Sequence, residues 1–175
     1  MKKLFFTLLV LTIMFVGISC NNQTAETPKD FSELTAEQEK IYNEVSYDIS
    51  LAMTQIKFDE YGMLESKPDN IEVTRVITGG DSNVKVVLTL TFSEYVGQTY
   101  KDKITGSAIF TYNYASINDA FYSSMSGTIN VVIKRDEDLH SLSSNIEAKV
   151  NKNTGAIISA VETGTFDKAK YRISK

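Results

Sequence analysis

Apolar and polar residues follow four different rhythms along the chain. Leu4 to Ile18 is an uncharged run, relieved only by Thr7, Thr12 and Gly17. Asn21 to Asp30 is polar, contains Pro28 and has no apolar period. Ile41, Val45, Ile49, Ala52, Met53 and Ile56 then recur at the spacing of one helix face. From Asn70 onward the period drops to two.

The third rhythm predicts an amphipathic helix over about 35–57, roughly 34 Å long at 1.5 Å per residue. Thr35-Ala36-Glu37-Gln38 supplies a capping box, with Thr35 as N-cap and Gln38 three places on. Leu34 is placed to staple the first turn. Glu37, Glu39, Lys40, Asn43, Glu44 and Asp48 fall largely on the opposite side. Such a stripe packs on the protein's own sheet. Phe58 to Asp69 reads as a connection, since Gly62 and Pro68 interrupt any period.

The fourth rhythm predicts strands. Ile71–Ile77 is β-rich, Thr78–Asn83 is a turn, and Val84 to Phe92 alternates Val84, Val86, Leu88, Leu90 and Phe92 against polar partners. Together they form a hairpin. Lys103–Ala115 and Phe121–Lys134 are the third and fourth strands, linked by 116–120. Asn145–Val150 and Ala156–Thr165 make a last hairpin around Asn151-Lys152-Asn153-Thr154-Gly155. Short connections imply antiparallel neighbours, because parallel pairs need long crossovers. The expected fold is α+β: an N-terminal amphipathic helix packed on a curved antiparallel meander sheet of about six strands.

Thr105-Gly106-Ser107, Ser126-Gly127-Thr128 and Thr163-Gly164-Thr165 place glycine between small residues inside predicted strands. Glycine there marks a bulge, a bend or a close approach. Two readings follow: a sheet bent around its own core, or a cavity for a ligand.

Composition narrows the class. The 175 residues are 42% hydrophobic and 23% charged, which suits one folded domain. One cysteine and one histidine exclude an intrachain disulfide and any multi-histidine or multi-cysteine metal site. A formal charge of −4 argues against nucleic acid as a partner.

The leading run has a basic start at Lys2 and Lys3 and is short for a bilayer-spanning helix, which needs about 20 apolar residues. This is the pattern of a secretory signal. It ends in Gly17-Ile18-Ser19-Cys20, which resembles the lipobox of bacterial lipoproteins. The resemblance covers only the first 20 residues. It implies cleavage before Cys20 and acylation of that cysteine by diacylglyceryl and fatty-acyl (palmitate-type) chains. Gly17 stands where the family prefers Leu, Val or Ile. Gly17 and Ser19 also suit ordinary signal cleavage, which would leave Cys20 a free thiol. The expected organisation is a signal peptide over 1–19, the acylated cysteine and a flexible tether over 20–33, and a single α+β domain over 34–175. Losing 1–19 removes two lysines and no acid, so the formal charge moves from −4 to −6. No polybasic segment assists the lipid, and each buried CH₂ of an acyl chain contributes about 0.8 kcal/mol.

Catalytic signatures are sparse. His140 lies in Arg135-Asp136-Glu137-Asp138-Leu139-His140-Ser141, which reads as a solvated loop. No serine sits in a Gly-x-Ser-x-Gly context. Asp136, Glu137 and Asp138 lack the spacing of a calcium loop. Gly79-Gly80 reads as a hairpin turn rather than an anion cradle. We expect no catalytic residues, no metal ligands and no cofactor.

Aromatic residues cluster around the second to fourth strands. Phe110, Tyr112, Tyr114 and Tyr122 are the candidate ligand or partner contacts if half exposed, and core packing if not. The sequence therefore suggests an exported protein, anchored by lipid to the cell membrane or outer membrane. It would act there as a non-catalytic binding or interaction module for an apolar ligand, a lipid or an envelope protein. An envelope hydrolase using carboxylates, which predicts an acid cleft, is one alternative. A structural accessory subunit of an envelope complex, which predicts an apolar patch, is the other.

Overall fold

The computed structural model describes residues 30–175. The signal segment, Cys20 and most of the tether lie outside them. Ten strands and one helix occur in the order β1 (Phe31–Ser32), α1 (Ala36–Thr54), β2 (Lys57–Phe58), β3 (Leu64–Ser66), β4 (Ile71–Thr78), β5 (Ser82–Val96), β6 (Lys103–Ser116), β7 (Ser124–Arg135), β8 (Asp138–Val150), β9 (Ile157–Phe166) and β10 (Ala169–Ser174).

The helix forms as its sequence dictates. Thr35 Oγ1 accepts from the Gln38 amide at 3.2 Å, and the Thr35 amide donates to Gln38 Oε1 at 2.9 Å. Both halves of the capping box are thus present. Ile41, Val45, Ile49, Ala52 and Met53 are buried, as the spacing predicts, and so are Tyr42 and Asp48. The helix stops at Thr54, short of the expected 57, and Ile56 is buried beyond its end.

The sheet corrects the expected count. It has eight strands, ordered β1-β10-β9-β8-β7-β6-β5-β4, all antiparallel. β4 to β10 is an uninterrupted meander, and β1 pairs with the last strand. The helix is not the N-terminal element, because β1 precedes it and falls inside the segment read as tether. β10 escapes a periodicity reading because only Tyr171 and Ile173 are large apolar residues in it. Its turn, Asp167-Lys168, carries no glycine, yet both residues adopt positive φ, 48° and 74°. β8 begins at Asp138, not Asn145. The charged segment read as a loop is a tight turn at Asp136-Glu137, with Asp136 at φ 52°, followed by strand. β2 and β3 form a separate two-stranded sheet within the expected connection.

One face of the meander is apolar. Leu88, Leu90, Phe92, Ile104, Ala108, Phe110, Ile133, Leu142, Ala160 and Phe166 join the helix stripe in a single buried cluster. Full burial of each large aliphatic side chain contributes about 1.5–3 kcal/mol. The other face carries mostly Ser, Thr, Asn, Lys and Glu, with Val76, Ile109 and Val132 exposed among them. Among the described residues no helix is long and apolar enough to cross a membrane.

Candidate functional site

The four aromatic candidates sit in the core. Phe110, Tyr112, Tyr114 and Tyr122 are 2–6% exposed. Phe110, Tyr112 and Tyr114 alternate inward along β6, and Tyr122 folds back beneath them from the β6–β7 link. The Tyr112 and Tyr122 rings lie 5.0 Å apart and those of Tyr114 and Tyr122 6.1 Å apart, both edge-on. Burial pushes Tyr114 and Tyr122 up to about 12 and Tyr112 higher still. The Tyr122 hydroxyl is buried without a hydrogen-bond partner. The structure brings these residues together as packing and does not present them on an edge.

Among the described residues three carboxylates are buried, Asp48 and Asp102 both at the β5–β6 turn and Glu162 on β9. Asp48, on α1, accepts from the backbone N–H of Thr99 at 2.9 Å and of Tyr100 at 3.0 Å. This fastens the helix to the β5–β6 turn, where Gly97 has no side chain to block it. Asp102 receives two bonds from Arg135, from Nε at 2.8 Å and from the guanidinium's terminal nitrogen at 2.5 Å. Arg135 also pairs with Glu44 of α1 at 2.7 Å. Its bond to Asp102 holds Arg135 above its already high value, against the effect of burial. Glu162, on β9, accepts from Ser144 Oγ at 2.6 Å and from the Tyr171 hydroxyl at 2.8 Å. Tyr42 packs on Tyr171, with centroids 5.0 Å apart. Burial first, and Glu162 second, raise Tyr42 and Tyr171. Asp102 and Glu44 meet at Arg135, and each of the three buried acids is taken up by bonds within the fold.

His140 is not in a loop. Its Nδ1 lies 2.7 Å from Asp167 Oδ2, and Asp167 Oδ1 accepts from the Ser141 amide at 2.7 Å. The imidazole stacks on Phe166 at 5.5 Å. Asp167 thereby ties the β9–β10 turn to the start of β8. Among the described residues no group of three or more His, Cys, Asp or Glu side chains is placed to hold a metal ion.

The site that sequence reasoning missed lies on the outer face, at the β1 end of the sheet. An open depression of about 310 Å³ is lined by Phe31, Ser143, Asn145, Thr163, Thr165 and Lys170, with Gly164 and Tyr171 completing it. Strand register builds it. Asn145 pairs with Thr163 and Ser143 with Thr165. Thr163 pairs with Arg172 and Thr165 with Lys170. Phe31 pairs with Arg172 at the edge. Paired residues share a face, so Asn145, Thr163 and Arg172 stand in one row that ends at Phe31, and Ser143, Thr165 and Lys170 stand in the next. The signal was present only as polar alternation, which marks any solvated strand face. Comparison of the chain with protein-family models, with curated proteins and with solved structures finds no match.

Proposed function

We propose that this chain is a lipid-anchored, non-catalytic binding module of the cell envelope, held at the membrane by acylated Cys20 and binding through the outer face of its sheet. The observation that carries the reading is the allocation of polar groups. Asp48, Asp102 and Glu162 each bond to groups that hold the fold together. The Thr163 and Thr165 hydroxyls and the Asn145 amide, by contrast, line the depression on the outer face. A hydrolase needs converging acids, and this arrangement favours binding over that alternative. The inner face, where an apolar ligand would sit, is filled by the α1 stripe. Exposed Ile109 pairs with Thr89 and Thr128, and exposed Val132 with Thr105 and Ser141, so polar neighbours flank both, which gives the accessory-subunit reading less support.

The anchor suits this placement. The depression opens beside β1, where the tether enters the sheet. Residues 21–30, fully extended, reach at most about 35 Å, so the depression would work within that distance of the bilayer.

The test uses the full chain carrying Cys20→Ser, which removes the lipid. Washed envelope fragments of the producing cell should sediment this protein saturably. Asn145→Lys together with Thr163→Lys should abolish sedimentation without changing the unfolding transition. A chain that stays in the supernatant with fragments in excess, or a double variant that sediments as well as its parent, overturns the proposal.

A further inference from the structure

The chemistry of the depression narrows its ligand. We infer that it is a subsite for a neutral saccharide chain, taking one or two sugar rings, with Phe31 as the platform for a ring face and Asn145, Thr163 and Thr165 as hydrogen-bond partners. This inference rests on the binding-module reading and names the ligand class for that same face.

The lining carries no acid and one cation, Lys170, and a second cation, Arg172, stands in the row between Thr163 and Phe31. After loss of the leader the formal charge is −6, which repels a polyanion such as nucleic acid. An extended peptide would add to a sheet edge, but the depression lies on a face, and β10 already has β9 and β1 as neighbours. A lipid tail or other apolar ligand would bury the Thr163 and Thr165 hydroxyls and the Asn145 amide without supplying a partner, at a cost of about 1–3 kcal/mol for each group left unpaired. The remaining chemistry is a ligand that donates and accepts along its whole length and also has an apolar face. Sugar rings have both. Each serine or threonine hydroxyl donates once and accepts twice, and an asparagine amide donates twice and accepts through its oxygen.

The geometry extends the argument beyond one ring. Ser143 Oγ donates to Asn130 Oδ1 at 2.8 Å, which leaves the Asn130 NH₂ free to donate outward. Register extends the Ser143–Thr165–Lys170 row, beside the one that ends at Phe31, through Asn130 and Ser107 to Thr91. Neighbouring strands lie about 4.8 Å apart, close to the length of one extended pyranose unit. A saccharide lying across the strands therefore meets a fresh polar side chain with each successive ring. Phe31 is 49% exposed at the edge of the sheet. Ring stacking on an aromatic face is worth about 0.5–1.5 kcal/mol beyond its area.

The experiment is amide and side-chain-amide NMR on the isotope-labelled full chain carrying Cys20→Ser, titrated with chitotetraose, cellotetraose and maltotetraose. The expected result is a saturable shift of the Asn145 side-chain NH₂ and of the Thr163 and Thr165 amides with at least one of the three. Phe31→Ala and Asn145→Ala, both at exposed positions, should each weaken it by about tenfold, or ~1.4 kcal/mol. No saturable shift with any of the three, or unchanged affinity in both variants, overturns the inference. Failure here is distinguishable from failure of the binding module itself. If envelope fragments still sediment the chain, and protease treatment of the fragments abolishes this, the partner is a protein and the saccharide assignment falls while the module stands.

Discussion

Phe110 stands directly across the β6–β7 pair from Gly127, with a ring carbon 2.7 Å from the point where a Gly127 side chain would begin. The relationship recurs. Tyr171 pairs with Gly164 across β9–β10, and Phe92 pairs with Gly106 across β5–β6. At Gly127 and Gly164 the missing side chain thus leaves the gap into which an aromatic ring on the neighbouring strand settles. Gly106 adds a backbone constraint, with φ at 136° and the Asn130 carbonyl oxygen against its open side.

Gly127→Val should destabilise the protein by about 1–3 kcal/mol through overpacking against Phe110. Phe110→Leu in the same chain should recover part of that loss, because the two positions share one space. Urea unfolding of the two single variants and the double variant measures the coupling. Strict additivity would mean that the ring does not occupy the glycine's gap.

Asp48→Ala should cost about 1–3 kcal/mol, because it removes the carboxylate that accepts from the Thr99 and Tyr100 N–H groups. Asp48→Asn, which keeps one acceptor oxygen, should cost less. Hydrogen exchange at the Thr99 and Tyr100 amides should accelerate in both variants. Unchanged exchange would show that water or another oxygen replaces the carboxylate at no cost.

Alkaline pH should unfold the protein. Tyr114 and Tyr122 are raised from 10.0 to about 12, and Tyr42, Tyr112 and Tyr171 are raised further, in every case first by burial. A raised folded value means that the native state holds its protons while the unfolded chain loses them. This contribution to stability is intact below pH 10, the unfolded value, and is lost as pH rises above it. Phenolate absorbance from these residues should appear together with loss of the native circular dichroism between about pH 10 and 12. Phenolate appearing in full while the native signal persists would contradict their burial.

The helix was legible in the sequence because capping and the four-three spacing are local signals, and Thr35 and Gln38 bond as their types predict. The strands with strong alternation, β4 to β7 and β9, were legible for the same reason. β10 was not, because its turn uses Asp167 and Lys168 at positive φ, where glycine or asparagine is the usual signal. The start of β8 was hidden by the acids of its turn. Asp48 read as a solvated helix residue because its partners, Thr99 and Tyr100, are about 50 positions away in sequence. The aromatic cluster was visible, but its burial depends on Tyr122 folding back, which no period encodes. The depression was invisible for a related reason: Phe31 and Asn145 meet on one face only through the pairing of β8, β9, β10 and β1.

The central claim is that lipid at Cys20, and no surface of the domain, holds this protein at the membrane. The most direct measurement separates membrane and soluble fractions, with a high-salt wash, from cells producing the wild-type chain or Cys20→Ser. The account predicts that the wild-type chain stays in the washed membrane pellet and that Cys20→Ser appears in the soluble exported fraction. A Cys20→Ser chain that still pellets with membranes and resists the wash would contradict it.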